Sequence, residues 1–161
     1  FTNFTQVERH AILQSRLISD LTSAMESFVK EARTGYGSTY FPADNAIAFV
    51  NQNGNCVEYR LEKITTQGKE RGEFQRGEKE GGADCQPSLI ESSSFTPITS
   101  NTTSIDELRF EATIAESGNG VLKNQGVITI ALTAQSMKDG IPPITIQNSV
   151  TSRQMEPYVQ Q

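Results

Sequence analysis

The chain has 161 residues, a formal net charge of −5, an apolar fraction of 35% and no Trp, which is length for one domain with a real core. An acidic chain with no basic cluster interleaved with aromatics is not built for nucleic acid as its main partner. Ser, Thr, Asn and Gln make a polar surface short of the charge excess that marks disorder. No run of about 18 apolar residues is present to span a membrane, and the polar stretch Phe1 to His10 is no secretory signal.

In chain order, the first element is a long amphipathic helix predicted over about residues 7–34, where no Pro or Gly intervenes. Leu13, Leu17, Leu21, Ala24, Met25, Phe28 and Ala32 fall on one face, with Val7, Ile18 and Val29 at its margin. Thr5-Gln-Val-Glu8 fits a capping box that would start the helix near Val7, and Gly35 and Gly37 end it. Ile12 lies opposite the apolar stripe and is a candidate subunit contact, against the plainer reading that a single exposed Ile needs no partner. A connector from Tyr36 to Asn45 follows.

Five alternating runs then read as half-buried strands in a β-rich body over about residues 46–153: Ala46 to Val50, Cys56 to Leu61, Leu108 to Ile114, Ile128 to Thr133, and Ile144 onward to Val150. One apolar and one polar face per strand is the pattern of an antiparallel sheet covered on one side. The helix stripe, through Leu13, Leu17, Leu21, Met25 and Phe28, is its natural cover. Between the second and third runs, Gly68 to Asp84 mixes acidic, basic and glycine residues around Phe74. It reads as a solvated excursion kept soluble by mixed charge. The alternative is a ligand loop presenting Lys69, Arg71, Phe74 and Arg76. Ser92 to Ser104 reads as a second polar connector, and residues 154–161 as a frayed tail.

Cys56 and Cys85 are the only cysteines. With no CxxC spacing and no His beside them, zinc and redox motifs are not indicated. They form either a structural disulfide, which would place the chain outside the cytosol, or two unpaired buried thiols. His10 is the single His and has no nucleophile signature near it; GxSxG, P-loop, GxGxxG and HExxH patterns are missing. Glu107, Glu111, Glu116 and Asp139 lack calcium-loop spacing. No catalytic residue, metal ligand or cofactor is therefore expected. Asn3-Phe-Thr5 and Asn101-Thr-Thr103 match the glycosylation sequon, a weak signal in a Thr-rich chain.

Four segments then carry a family resemblance. Leu17-Ile-Ser-Asp-Leu21 through Phe28-Val-Lys-Glu-Ala-Arg33 resembles the lower half of a pilin spine helix. Ala46-Ile-Ala-Phe-Val50 with Cys56-Val-Glu-Tyr-Arg-Leu61 resembles the first sheet hairpin. Leu108-Arg-Phe110 and Val127 to Thr133 resemble the later strands, and Ile144 to Arg153 the closing strand. The chain as a whole resembles the soluble part of a minor type IV pilin or type II secretion pseudopilin.

That resemblance implies a pilin-like α+β fold in one domain over residues 1–161, one long N-terminal helix packed on an antiparallel sheet. It implies a non-enzymatic subunit that initiates or caps a type IV pilus, secretion pseudopilus or competence filament. The implied partners are other pilin or pseudopilin subunits and the inner membrane, with no nucleic acid as main partner. The implied location is extracytoplasmic, at the cell surface or in the periplasm. Family members open with an aromatic residue, a Glu soon after it and a membrane-spanning apolar helix. Here Thr5 stands where the Glu would be and no apolar run follows, so Phe1 is placed just below a removed membrane segment. The alternatives are a tip adhesin or DNA-uptake subunit using the charged loop, or an unrelated small secreted hydrolase or binding protein.

Overall fold

The computed structural model describes residues 2–43, 45–66, 68–82, 85–115, 125–138 and 140–151. Among the described residues one α-helix, α1 (Thr2–Thr34), is followed by eight strands: β1 (Tyr36–Ala43), β2 (Ala46–Val50), β3 (Cys56–Thr66), β4 (Lys69–Lys79), β5 (Phe95–Pro97), β6 (Thr103–Ala115), β7 (Gln125–Ser136) and β8 (Ile144–Thr151). They form a five-stranded sheet in the order β1-β2-β3-β4-β5 and a three-stranded sheet in the order β6-β7-β8, with every pairing antiparallel. The chain is thus an α+β protein with its N-terminal helix packed against antiparallel sheets.

Alternation along the strands sets which side chains meet the helix. Ile47 and Phe49 of β2, Val57 and Tyr59 of β3, and Phe74 of β4 line the inner face of the first sheet. Leu108 and Phe110 of β6, Ile128, Ile130 and Leu132 of β7, and Val150 of β8 line that of the second. Both faces close on Leu17, Leu21, Ala24, Met25, Phe28 and Ala32 of the helix, with Leu13 half-buried at the edge of the same core. Phe28 sits where the sheets converge. Its ring centroid is 5.1 Å from Tyr59, 6.3 Å from Phe49 and 5.5 Å from Phe110. Edge and tilted contacts of this kind add to the area such rings bury.

The two sheets meet where β4 passes β6. A Cβ on Gly72 would stand 1.9 Å from the Ile105 carbonyl oxygen, so only glycine fits there. The Gly72 N–H donates to Ser104 Oγ (3.2 Å), and Lys63 Nζ donates to the carbonyls of Ile105 (3.1 Å) and Asp106 (3.3 Å). These carbonyls belong to a β-bulge between Ile105 and Glu107. The extra residue changes the strand's phase, which is why Ile105 and Leu108, three apart, both point inward.

Several expectations are corrected. The segment read as a charged loop is β4, a strand paired on both edges, so Lys69, Arg71, Phe74 and Arg76 form no loop. Phe74 is fully buried in the core; Arg71 pairs with Glu73, and Arg76 with Glu31 and Glu78. Those pairs let so polar a segment lie inside the sheet. The connector before Asn45 contains β1, and the second polar connector contains β5 and the start of β6. The helix is already formed at Thr2, so Thr5-Gln-Val-Glu8 lies inside it, because nothing between Thr2 and Gln6 breaks a helix. Val7 and Ile18, placed at the margin of the buried stripe, are 70% and 43% exposed. Glu116, Asp139 and the tail 154–161 lie outside the described residues.

Cys56 and Cys85 form a disulfide with a sequence separation of 29, of the kind that forms and persists in an oxidising, extracytoplasmic environment. It packs with Ala48 and Val50 on the face of the first sheet turned away from the helix. There it anchors the segment after residue 85, which covers that face. Ser88 N–H donates to the buried Glu58 carboxylate (2.9 Å), Ile90 is buried, and Phe95 lies over Gly77 with its ring centroid 3.6 Å from Arg60 Cζ.

Two outcomes follow for stability. Phe28→Ala should cost about 3–5 kcal/mol, seen as a lower urea midpoint with an unchanged slope. Replacing both cysteines by Ala should cost about 3–4 kcal/mol by the chain-entropy model, and reductant should then no longer shift the midpoint as it does in the parent.

Candidate functional site

The helix is the element that distinguishes this molecule, and two polar anchors fix its setting. Near its end, Glu31 accepts a forked pair from Arg76, Nε at 2.7 Å and Nη2 at 2.6 Å. Tyr59 Oη donates to the same carboxylate at 2.6 Å and Asn51 Nδ2 at 3.2 Å. Arg76 Nη2 also donates to Glu78 at 2.8 Å, and Glu78 accepts from Asn55 Nδ2 at 2.8 Å. Asn51 Oδ1 meanwhile accepts the N–H groups of Asn53 and Asn55, shaping the β2–β3 turn as Asn does in tight turns. One carboxylate on α1 thereby holds β3, β4 and the β2–β3 turn. Thr34 Oγ1 donates to the carbonyls of Lys30 and Glu31, which satisfies helix-end acceptors.

The second anchor lies at mid-helix. Asp20 accepts from Ser100 N–H (3.0 Å), Ser100 Oγ (3.0 Å) and Thr103 Oγ1 (2.6 Å). It ties the entry to β6 onto the helix. Thr103 is the last residue of the Asn101 sequon, and its hydroxyl is spent on this contact.

The electrostatics follow the geometry. Burial by itself would raise the Glu31 carboxyl, but the Arg76 fork, the Tyr59 hydroxyl and the Asn51 amide outweigh it and hold the group below its ordinary value. Asn55 and Arg76 do the same for Glu78. Burial, followed by the Glu31 charge, pushes the Tyr59 hydroxyl far up, and the Glu31 fork does so for Arg76. Glu58 moves the other way, because burial outweighs the Ser88 N–H and the Arg60 charge and raises it.

Above Leu13 the helix leaves the core. Thr5 to Ile12 are all exposed, about 12 Å of helix at 1.5 Å per residue. Ile12, the residue singled out from the sequence, is 48% exposed. Val7, Ala11 and Ile18 share an exposed flank of their own, a pattern that placing Val7 and Ile18 at the core margin had hidden. His10 lies against the turn after β7, its Nε2 3.0 Å from where a Cβ on Gly140 would be. Among the described residues no group of three or more His, Cys, Asp or Glu side chains is placed to hold a metal ion, and no helix is long and apolar enough to cross a membrane.

Of the residues predicted for a ligand loop, Lys69 borders an open groove, beside Arg9 and His10. Glu31 and Asp20, the side chains that set the helix, carry no local sequence signal; they are ordinary helical carboxylates until the sheets deliver Arg76 and Thr103. No protein-family model, curated protein or solved structure matches the chain.

The two shifted carboxyls give opposite pH signatures. Glu31 is lowered in the fold, so its stabilisation is complete above the ordinary carboxylate range and is lost as pH falls through the lower folded value. Glu31→Gln should therefore lose roughly 1.5–3 kcal/mol at neutral pH, the gap to the parent closing in acid. Glu58 is raised, so its charged form opposes folding above that raised value. Glu58→Gln should be more stable than the parent at neutral pH and converge with it as pH falls. Thermal melts between about pH 3 and 7 would check both.

Proposed function

We propose that this domain is a non-enzymatic structural subunit of an extracellular filament machine, with a pilin-like fold, acting as a minor pilin or pseudopilin in initiation or tip assembly. The observation that carries the reading is the division of the helix. Its lower part is bound to two sheets through Phe28, Glu31 and Asp20. Its upper turns expose Val7, Ala11 and Ile12 to solvent, and Ile18 is exposed lower down, beside buried Leu17. A helical stretch of that length gains little stability in water by itself, and exposed Val and Ile on its outer side suit packing against like helices. The segment resemblance, the helix-on-sheet architecture and the disulfide support the same reading.

In this role the partners are neighbouring subunits of the same class, and the membrane is reached through an apolar helix continuous with α1. The globular part is displayed outside the cell. The flank through Val7 and Ile18 and the opposite position Ile12 then face different neighbours. No bond is made or broken by this subunit; its work is to present a helix in a fixed setting on a sealed body.

The expected outcome is specific. In cells producing the full-length gene product, Val7→Asp with Ile12→Asp should sharply reduce its recovery in sheared filament or pseudopilus fractions. The melting temperature of the purified domain should stay within about 0.5 kcal/mol equivalent of the parent, as for surface changes without core contacts. Undiminished recovery would rule these positions out as subunit contacts, and a gene product lacking an apolar helix upstream would remove the filament reading altogether.

A further inference from the structure

The helical stripe that is apolar from Leu13 downward changes character as it continues upward. Gln6, Arg9, His10 and Leu13 are spaced as one helical face, and that face borders an open groove of about 620 Å³. Lys69 closes it from the tip of the β3–β4 hairpin, and Met137 and Lys138 close it from the segment after β7. Lys138 also reaches a small adjoining cavity shared with Arg16, Thr102 and Ser136. Three separate elements thus bring Arg9, Lys69, Lys138 and His10 to one groove, with Arg16 at the cavity adjoining it, on a chain whose net charge is −5.

Among the described residues no ion pair engages Arg9, Arg16, Lys69 or Lys138, as none engages Lys30, Arg33 or Lys79, whereas Arg60, Arg71, Arg76 and Arg109 each pair with a Glu. What distinguishes the first four is that they gather at adjoining concavities. Among the described residues no carboxylate lines the groove. Glu8 is about two residues, some 200° of helical turn, from His10, and Glu70 alternates to the other face of β4 from Lys69. The groove's apolar content is Leu13 and the 38%-exposed Met137. Among the described residues no aromatic side chain lines it, so they offer no stacking platform of the kind single-stranded nucleic acid uses.

We infer that this groove binds the phosphate of an anionic phospholipid headgroup at a membrane surface. Cations from three elements meet the phosphate, the Gln6 amide and the Thr102 and Ser136 hydroxyls offer further donors, and Met137 meets the apolar region beneath the headgroups. Mixed basic and apolar groups at one end of a molecule are what binding at an anionic interface uses. The inference concerns the domain alone and stands or falls separately from filament assembly.

The test is sedimentation of the full chain with phosphatidylcholine vesicles, with and without phosphatidylglycerol. Binding should require the anionic lipid and weaken steeply with salt. Lys69→Gln and Lys138→Gln should each lower affinity about fivefold, together on the order of 25-fold. Lys69→Arg with Lys138→Arg should bind like the parent, and so should Arg109→Gln, which lies outside the groove. Melting temperatures of all variants establish that folding is retained. Soluble glycerol phosphate should compete if the headgroup occupies the groove. Binding that ignores lipid charge, equal loss from Arg109→Gln, or an unchanged affinity in the double Gln variant would overturn the inference. So would tighter binding to an oligonucleotide than to vesicles through the same lysines.

Discussion

Everything in this molecule is arranged around the docking of one helix into the angle between two sheets. Phe28 reaches both sheets at once, touching the rings of Phe49 and Tyr59 on one and Phe110 on the other. Burial of this kind is strong but non-directional, and a smooth apolar stripe could slide or rotate in such a trough. Glu31 removes that freedom. A carboxylate fixed by a planar guanidinium fork, a phenol and an amide has one acceptable position, and it sets the helix's register against β3 and β4. Asp20 adds a second fixed point a few turns away, so the helix is located along its length and about its axis.

The parts legible in the sequence were those governed by simple periodicity. The helix stripe from Leu17 to Ala32 follows from its uninterrupted 3.6-residue spacing, and the bounds of β2 from an apolar run closed by Asn45 and Asn51. What escaped did so for identifiable physical reasons. β4 reads as a loop because Arg76 and Glu78 on its inner face find Glu31 and Asn55, distant in sequence, while Glu73 on its outer face is satisfied within the strand by Arg71 and Gln75. Without those partners the same residues would belong in water. Ile105 falls out of the alternating pattern because a bulge resets the phase of β6. The division into two sheets depends on the close passage of Gly72 by Ile105, which no local pattern announces. The basic groove is assembled from residues 6–13, 69 and 137–138, so its cations are dispersed in the sequence and meet only once the hairpins are in place.

The two faces of the first sheet have different duties. The inner face supplies the core, while the outer face is covered by the segment that the Cys56–Cys85 bond ties down. Beneath that cover lie Glu58, Gly77 and the Arg60–Phe95 contact. The second sheet keeps its outer face open and polar, with Thr129 and Ser149, and Thr133 and Thr145, hydrogen-bonded across neighbouring strands. Apolar exposure is thereby concentrated on the helix, the element proposed to meet other subunits.

A rod of 33 residues is about 50 Å long, and its grip on the body is concentrated toward one end. Traction on the free end would reach the sheets as shear across the Phe28 packing and the Glu31–Arg76 fork together, so these must yield in concert instead of peeling one by one. Sideways force would instead pivot the rod near Leu13 and bear on Asp20 and its hydroxyl partners. The body is therefore mechanically anisotropic: stiff against pulling along the rod and softer against bending at its neck.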